Sequence, residues 1–203
     1  TISASGLVTA VTAGNATITY TNSNGCQVTA LVSVYANPTI TGNTTLCVGS
    51  TLTLTGNGTA AVSNAWISSA PSVATVSNLG VVTGISAGIA TITYTNINVC
   101  STTIQVTVNA LPTVTGNSSL CIGATSQLNG SATGSGWSSS AGGIATVSNA
   151  GLVVAVSAGS TNITYTNTTG CTVVVPVTVF ANPTISGGAA LCVSSTLQLT
   201  GSG

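Results

Sequence analysis

Residues 88–100 read GIATITYTNINVC, and two similar stretches occur in the chain, GNATITYTNSNGC at residues 14–26 and GSTNITYTNTTGC at residues 159–171. In an extended chain, Ile92 and Tyr94 fall on one face and the threonines between them fall on the other. Strict alternation of apolar and polar residues, rich in β-branched side chains, predicts a half-buried β-strand. The same two-residue alternation recurs along the chain, and no segment shows the three- to four-residue spacing of apolar residues that is typical of a helix. The sequence therefore predicts an all-β protein.

The cysteines show that these stretches belong to a long repeat. One cysteine ends each stretch, at positions 26, 100 and 171, so the steps are 74 and 71 residues. A second set of cysteines has the same two steps: Cys47, Cys121 and Cys192. Periods of tens of residues are typical of proteins built from tandem copies of one unit. Each repeat therefore has two cysteine positions. Cys26, Cys100 and Cys171 occupy one position, and the second set occupies the other.

The repeat divides the chain into four segments. Residues 37–108 and residues 109–180 are each expected to form one complete repeat. Residues 1–36 match the second half of a repeat, and residues 181–203 match the first part of another. We interpret the chain as a window from a longer array. An alternative is that the two partial segments complete each other between subunits, as strand addition to an open sheet allows.

The composition excludes several classes of function. The 203 residues include no Lys, Arg, Asp, Glu or His. The chain therefore lacks the basic side chains that neutralise nucleic-acid phosphates and the usual ligands of calcium and zinc. It also lacks the side chains that perform general acid–base catalysis near neutral pH. We expect no enzyme activity, no cofactor, no metal site and no nucleic-acid partner. No apolar run approaches the roughly 20 residues of a membrane-spanning helix.

Turn residues separate the alternating runs, as in TGNGT, SNLG and NSNG. About seven short strands can be counted in each repeat, which is typical of a small antiparallel β-sandwich. The aromatic residues at matching places are expected to be large core residues: Trp66, Trp137, Tyr20, Tyr94 and Tyr165. Stacking against sugar rings is the alternative role for the tryptophans.

The stretch AWISSAPSVATVSNLGVVTGISAGIATITYTN, residues 65–96, resembles the bacterial immunoglobulin-like domains of group 2, and residues 136–167 keep most of this pattern. The resemblance implies Ig-like β-sandwiches arranged head to tail, as on bacterial surface proteins, adhesins and stalks. It implies an extracellular or cell-surface location and no shared catalytic residues. The added elements LCVGSTLTL and TYTN…C resemble repeats of very long secreted surface proteins of Bacteroidota-type bacteria.

Six cysteines in such a chain indicate an oxidising compartment. Two disulfide patterns remain open. Pairing within repeats would join Cys47 to Cys100 and Cys121 to Cys171. Pairing between repeats would join Cys47 to Cys171. In an Ig-like sandwich the two cysteines of one repeat are expected at opposite poles, which disfavours the first pattern, but the strand assignment near Cys47 leaves both possible.

The leading hypothesis is a structural segment of an extracellular bacterial filament or adhesin stalk made of disulfide-stabilised Ig-like repeats. Near-zero net charge promotes association, which suits a material that stays assembled. The expected partners are further copies in a fibre or adjacent repeats of the same long chain. The alternative is a carbohydrate- or surface-binding adhesion module that uses exposed aromatic side chains, with surface glycans as its partner.

Overall fold

The computed structural model describes residues 1–131, 134–188 and 190–202. The structure in these ranges consists of short β-strands joined by turns, without any helix. The prediction of an all-β fold is therefore confirmed. Within the same ranges, nothing forms a helix of the length and apolarity needed to cross a membrane.

The chain separates into two compact units, Thr1–Ala110 and Leu111–Gly203. The first unit contains eleven strands: β1 Gly14–Thr21, β2 Gln27–Val34, β3 Ile40–Thr41, β4 Thr45–Cys47, β5 Thr51–Thr53, β6 Thr55–Gly56, β7 Trp66–Ser68, β8 Ala74–Val76, β9 Val81–Gly84, β10 Gly88–Thr95 and β11 Ser101–Asn109. The described part of the second unit contains another eleven: β12 Val114–Thr115, β13 Ser119–Cys121, β14 Thr125–Gln127, β15 Asn129–Gly130, β16 Gly134–Ser139, β17 Ala145–Val147, β18 Leu152–Ala155, β19 Gly159–Asn167, β20 Thr172–Phe180, β21 Ile185–Ser186 and β22 Thr200–Gly201.

The repeat at residues 37–108 is a two-sheet sandwich. One sheet has the order β4-β11-β10-β7, in which β4 pairs with β11 in parallel and the other pairs are antiparallel. The facing sheet has the order β5-β9-β8, and β3 pairs with β6 beside it. The structure has nine strands in this repeat rather than about seven. The difference arises because the first two strands of the sandwich are each interrupted, giving β3 and β4, then β5 and β6.

The repeat at residues 109–180 has the same topology. Its larger sheet has the order β13-β20-β19-β16, and β13 again pairs in parallel with β20. The facing sheet has the order β14-β18-β17, with β12 paired to β15. The sequence repeat is therefore a structural repeat. The division into four segments stays a prediction.

Alternation along the strands creates the core of each repeat. Strand β10 buries every second residue from Ala90 to Tyr94, while its threonines lie on the outer face and are only partly exposed. In the first repeat the buried cluster comprises Leu46, Leu54, Ala65, Trp66, Ala74, Val82, Ala90, Ile92, Tyr94, Val106 and Val108. Full burial of one such large aliphatic side chain contributes about 1.5–3 kcal/mol. This cluster, contributed by both sheets, is the main source of stability of the repeat.

The tyrosine of each full repeat lies directly over a glycine. A Cβ atom added to Gly56 would overlap the ring of Tyr94, and one added to Gly130 would overlap the ring of Tyr165. Neither glycine has a positive φ, so it is the close approach of the ring that requires glycine here. The short Thr-Gly and Asn-Gly strands β6 and β15 therefore allow the sandwich to close over the tyrosine.

Residues 1–36 form a two-stranded hairpin in which Gly14 pairs with Val34 and Thr21 pairs with Gln27. Tyr20 was expected in the core, but its side chain is 67% exposed, whereas Tyr94 is 2% exposed. The physical reason is that Tyr94 is covered by β6 and β7, which come from the first half of its repeat. Residues 1–36 do not contain the counterparts of those strands.

Candidate functional site: cysteines and aromatic side chains

An asparagine organises the hairpin turn that precedes one cysteine of each repeat. The Oδ1 atom of Asn96 accepts hydrogen bonds from the backbone N–H of Asn98 (3.0 Å) and of Cys100 (3.1 Å). The backbone N–H of Asn96 donates to the carbonyl oxygen of Cys100 at 3.0 Å. Asn96 is itself buried. This Asx turn fixes the position of Cys100 at the start of β11.

The other two hairpins repeat this geometry. The Oδ1 atom of Asn22 accepts from the N–H of Cys26 at 2.9 Å, and that of Asn167 accepts from the N–H of Cys171 at 2.9 Å. The cysteines differ in their state. Cys26 is an exposed free thiol, Cys100 is a partly exposed free thiol, and Cys171 is buried and disulfide-bonded. We call this end of a repeat the hairpin end.

The second cysteine of each repeat lies at the opposite end. Cys47 ends β4 and is paired with Asn109, the last residue of β11. It is partly buried and disulfide-bonded. Its counterpart Cys121 ends β13 opposite Phe180 and is an exposed free thiol. We call this end of a repeat the crossover end, because a strand from the first half of the repeat pairs there with the last strand of the same repeat.

These positions are too far apart for a bridge within either repeat. Cys100 precedes β11 and Cys47 lies level with its last residue, nine strand residues later. At about 3.3 Å per residue the two cysteines are separated by roughly 30 Å, whereas a disulfide requires Cα atoms within about 7 Å. The same register separates Cys121 from Cys171 along β20. Cys100 and Cys121 are free thiols in the structure, and the disulfide pairing itself stays a prediction.

The aromatic pairs lie in the sandwich interiors. The ring centroids of Trp66 and Tyr94 are 4.6 Å apart with an interplanar angle of 40°. Those of Trp137 and Tyr165 are 4.5 Å apart with the same angle. Trp66, Tyr94 and Tyr165 are buried, and Trp137 is partly buried. Tilted pairs at this distance add about 0.5–1.5 kcal/mol beyond area burial, so the rings act as packing elements of the core.

The family model of the bacterial Ig-like domain (group 2) matches residues 34–108, which include the Trp66–Tyr94 pair and all of the first sandwich except the last residue of β11. Over these residues the chain is similar to the bacterial Ig-like domains of group 2. No curated protein matches the sequence.

Several solved structures of surface proteins are similar to the chain. Domains 4 and 5 of the S-layer protein SbsC are 28% identical, over 79% of this chain and 88% of that chain, with a TM-score of 0.29. Invasin, a bacterial integrin-binding protein, is 18% identical over 88% of this chain and 47% of its own, with a TM-score of 0.49. A fragment of intimin, solved with the intimin-binding domain of its translocated receptor, is 14% identical over 85% and 59%, with a TM-score of 0.38.

Each Ig-like repeat has a shallow groove beside its aromatic pair. In the second repeat the groove has a volume of about 450 Å³, and its lining includes Trp137, Asn129 and Asn149. In the first repeat the corresponding groove is about 220 Å³ and its lining includes Trp66 and Asn78. Both grooves are lined by uncharged residues, so any ligand would be recognised by uncharged polar groups such as the asparagine amides. Among the described residues there is no cluster of three or more side chains suited to a metal ion.

The structural role of the hairpin asparagines was not predicted from the sequence. The TYTN motif marks the end of a strand, but sequence alone gives the asparagine only as a turn residue. The signal that could have identified it was spacing, because in all three copies the cysteine follows the asparagine by four residues. An Asx turn closes over the following residues in this way, with the side-chain oxygen accepting from the backbone ahead of it.

Proposed function

We propose that this chain is a structural segment of an extracellular bacterial filament or adhesin stalk, in which Ig-like repeats are joined by disulfide bonds. The observation that carries the proposal is the placement of two cysteines at opposite ends of each repeat. Cys47 and Cys171 are in the disulfide state, and neither lies within reach of the other cysteine of its own repeat. A covalent link between neighbouring repeats is what such a placement supports.

The bridge in this proposal joins Cys47, at the crossover end of one repeat, to Cys171, at the hairpin end of the next. The four other cysteines are free thiols, which supports pairing of these two. A bridge of this kind would limit bending at the joint between repeats. The chain has no carboxylates or lysines for calcium-bound or isopeptide-stiffened joints, so disulfides and packing are the devices that remain.

The absence of charged side chains from the protein surface supports the same role. A chain without charged side chains has no electrostatic repulsion between copies, and near-zero net charge promotes association. It also offers no Lys–X or Arg–X bond to trypsin-like proteases. Both properties suit a permanent material outside the cell, and the match of residues 34–108 to the bacterial Ig-like domain model supports that setting.

Disulfide mapping tests the bridge directly. Because there is no cleavage site for trypsin, the oxidised chain is digested with chymotrypsin and the linked peptides are identified by mass spectrometry. We expect one peptide pair containing Cys47 and Cys171, which is lost in Cys47→Ser and retained in the matched variant Cys100→Ser. A peptide pair joining Cys47 to Cys100 would overturn the proposed bridge.

Electron microscopy of the native material tests the function. We expect extended fibres whose mass per unit length corresponds to a whole number of chains and which lose straightness when reductant is added. Compact monomeric particles in the native material would contradict a role as a filament or stalk segment. Fibres that remain straight after reduction would contradict the role of the disulfide in stiffening them.

A carbohydrate- or surface-binding module is the second candidate. The groove beside Trp137 favours it, because this indole is partly exposed and two asparagine side chains lie nearby. Burial of Trp66, Tyr94 and Tyr165 weighs against it, since aromatic platforms for sugars must be open. A glycan array, followed by fluorescence titration of Trp137→Phe, tests this candidate. Glycan binding that is lost in Trp137→Phe would support it.

A further inference from the structure

The last strand of the first full repeat has an open edge. Strand β11 pairs with β10 along residues 101–108, whereas β4 covers its other side only at residues 107–109. Among the described residues, no strand pairs with residues 101–105 on that side. We call this stretch the β11 edge. It belongs to a complete two-sheet sandwich rather than to a partial repeat.

Three residues present backbone groups at the β11 edge. The N–H of Thr107 donates to the carbonyl oxygen of Thr44 at 2.8 Å, so Thr107 faces the β4 side. Backbone groups of successive strand residues point to opposite sides of the strand. Ser101, Thr103 and Gln105 therefore point to the same side as Thr107, along the part of β11 that β4 does not reach. All three residues are exposed.

The second repeat protects the corresponding edge with a proline. The N–H of Thr178 donates to the carbonyl oxygen of Ser118 at 2.8 Å, so Pro176, two residues earlier, faces the open side of β20. Proline offers no N–H to an incoming strand, and proline and lysine are two devices that prevent sheet edges from pairing. Gln105 is the counterpart of Pro176, 71 residues earlier. The β11 edge therefore lacks both devices.

We propose that the β11 edges of two copies of this chain pair with each other as antiparallel strands, with a two-fold axis at Thr103. This inference rests on the proposed function, because it supplies a lateral contact between the chains of a filament. A second copy is the partner that the edge favours, since the edge is self-complementary. In this register Thr103 lies opposite Thr103 of the second copy, and Ser101 lies opposite Gln105 of the second copy.

Every open backbone group of the edge finds a partner in this register. Ser101, Thr103 and Gln105 each exchange two hydrogen bonds with the residue opposite, as the hydrogen-bonded pairs of an antiparallel ladder do. On the outer face, Thr93 pairs with Thr103 within each copy, so a row of threonines continues across both sheets. Cross-strand pairs of threonine are favourable, so the outer face supports the same register.

The inner face of the β11 edge adds an apolar contact. Ile104 packs against the core of its repeat but is only partly buried. In the paired edges it lies opposite Thr102 of the second copy, and the second strand covers its exposed side. The chain has no charged side chain that could repel the second copy.

The size of the contact sets its expected strength. Five strand residues span about 17 Å at about 3.3 Å per residue, which is small for a protein interface. We therefore expect a Kd of about 10 µM to 1 mM. Both copies use the same surface, so the contact is isologous and closes after two copies. It would join two chains side by side.

Sedimentation equilibrium of the full 203-residue chain tests the pairing, with reductant present so that no disulfide joins two copies. We expect wild type to show a reversible monomer–dimer equilibrium at concentrations up to about 1 mM. Gln105→Pro should weaken dimerisation by at least about 10-fold, because it removes one edge donor from each copy. Pro176 shows that this place in the fold accepts a proline.

Gln105→Thr is the matched control, because it changes the side chain but keeps the backbone N–H. It should dimerise within about 3-fold of wild type. A wild-type chain that stays monomeric throughout this concentration range would overturn the proposal. Dimerisation of Gln105→Pro that equals that of wild type would overturn it as well.

Cross-linking tests the register of the two edges. In a Cys100→Ser background, Thr103→Cys places a thiol at the two-fold axis, where opposite Cα atoms lie about 5.5 Å apart and a disulfide can form. Oxidation, chymotrypsin digestion and mass spectrometry should find the residue-103 peptide linked to itself, which only two copies can produce. Thr93→Cys in the same background is the matched control. Its Cα atoms in the two copies would be about 14 Å apart, three strand spacings, so it should not link. Absence of the residue-103 link, or an equal link at residue 93, would contradict the register.

The outcomes separate this inference from the proposed function. If disulfide mapping finds the Cys47–Cys171 bridge while wild type stays monomeric and residue 103 does not link, the stalk proposal stands and the edge pairing is wrong. If the edges pair but the native material consists of compact dimers rather than fibres, the pairing stands and the stalk proposal is wrong.

Discussion

Val99 has a backbone φ of 62°, a value that a β-branched residue rarely adopts. The residues at the same place in the other two hairpins are Gly25 and Gly170, with φ values of 81° and 82°. The left-handed conformation costs a non-glycine residue about 1–2 kcal/mol. The first Ig-like domain therefore carries a local strain that the other two hairpins lack.

We predict that Val99→Gly increases the free energy of unfolding of the first unit by about 0.5–1.5 kcal/mol, because it relieves this strain. Denaturant unfolding followed by tryptophan fluorescence measures the change. Gly170→Val is the matched control and should destabilise the second unit by a similar amount. A lower stability of Val99→Gly would show that the turn is not strained.

The glycine under each tyrosine gives a second prediction at this scale. Gly56→Ala should destabilise the first unit by about 1–3 kcal/mol, because the new methyl group overlaps the ring of Tyr94. Thermal unfolding of the variant measures this loss. Gly143→Ala should change stability by less than about 0.5 kcal/mol, since its Cβ points into open space. Equal effects of the two substitutions would contradict the steric argument.

The hairpin of β10 and β11 is the element on which the repeat is built. It is the longest antiparallel pair of the first unit's full repeat, running from Gly88 paired with Val108 to Thr95 paired with Ser101. Its turn depends on a buried amide, because Asn96 accepts two backbone hydrogen bonds. Loss of that side chain leaves two N–H groups without an acceptor at the hairpin end.

We predict that Asn96→Ala destabilises the first unit by about 0.5–1.5 kcal/mol, the usual net contribution of hydrogen bonds that are only partly buried. Hydrogen exchange should accelerate most at the amides of Asn98 and Cys100, which lose their acceptor. The neighbouring variant Asn98→Ala is the control, because its side chain is exposed and caps no turn. Unchanged exchange in Asn96→Ala would show that the turn holds without the asparagine.

The strands of the fold could be predicted from the sequence, but their partners could not be. Alternation of Ile92 and Tyr94 with threonine gives a half-buried strand and its buried face. The parallel pairing of Leu46 with Val108 depends on which sheet β4 joins, and this cannot be predicted from the local sequence pattern. The two cysteine patterns stayed open for this reason, since the place of Cys47 relative to the hairpin end follows from that pairing. Tyr20 was misplaced because burial depends on strands that lie outside its own segment.

The whole molecule is unusual in its lack of ionisable side chains. Stability changes with pH only when the folded and unfolded states bind different numbers of protons. No carboxylate, imidazole or basic side chain is present to bind them differently. Screening by salt likewise has almost no charge to act on.

We predict that the free energy of unfolding is constant within about 0.5 kcal/mol between about pH 4 and pH 7, and between roughly 20 and 200 mM sodium chloride. Denaturant titrations under these conditions measure it. An Ig-like domain of similar size with ordinary charge content is the control and should show a slope. A marked loss of stability at the acidic end of this range would contradict the argument.

The parallel pairing of β4 with β11 also governs the order of folding events. It joins Thr45–Cys47 to the final residues of the same repeat, so the sandwich cannot close until nearly the whole repeat is available. Contacts between residues so distant in sequence form slowly, whereas the β10–β11 hairpin can form on its own in microseconds. During synthesis, which proceeds from the N-terminus, the sandwich of each repeat could not form until the last strand of that repeat had been made. Repeats would then close one at a time, each at the moment its final strand became free.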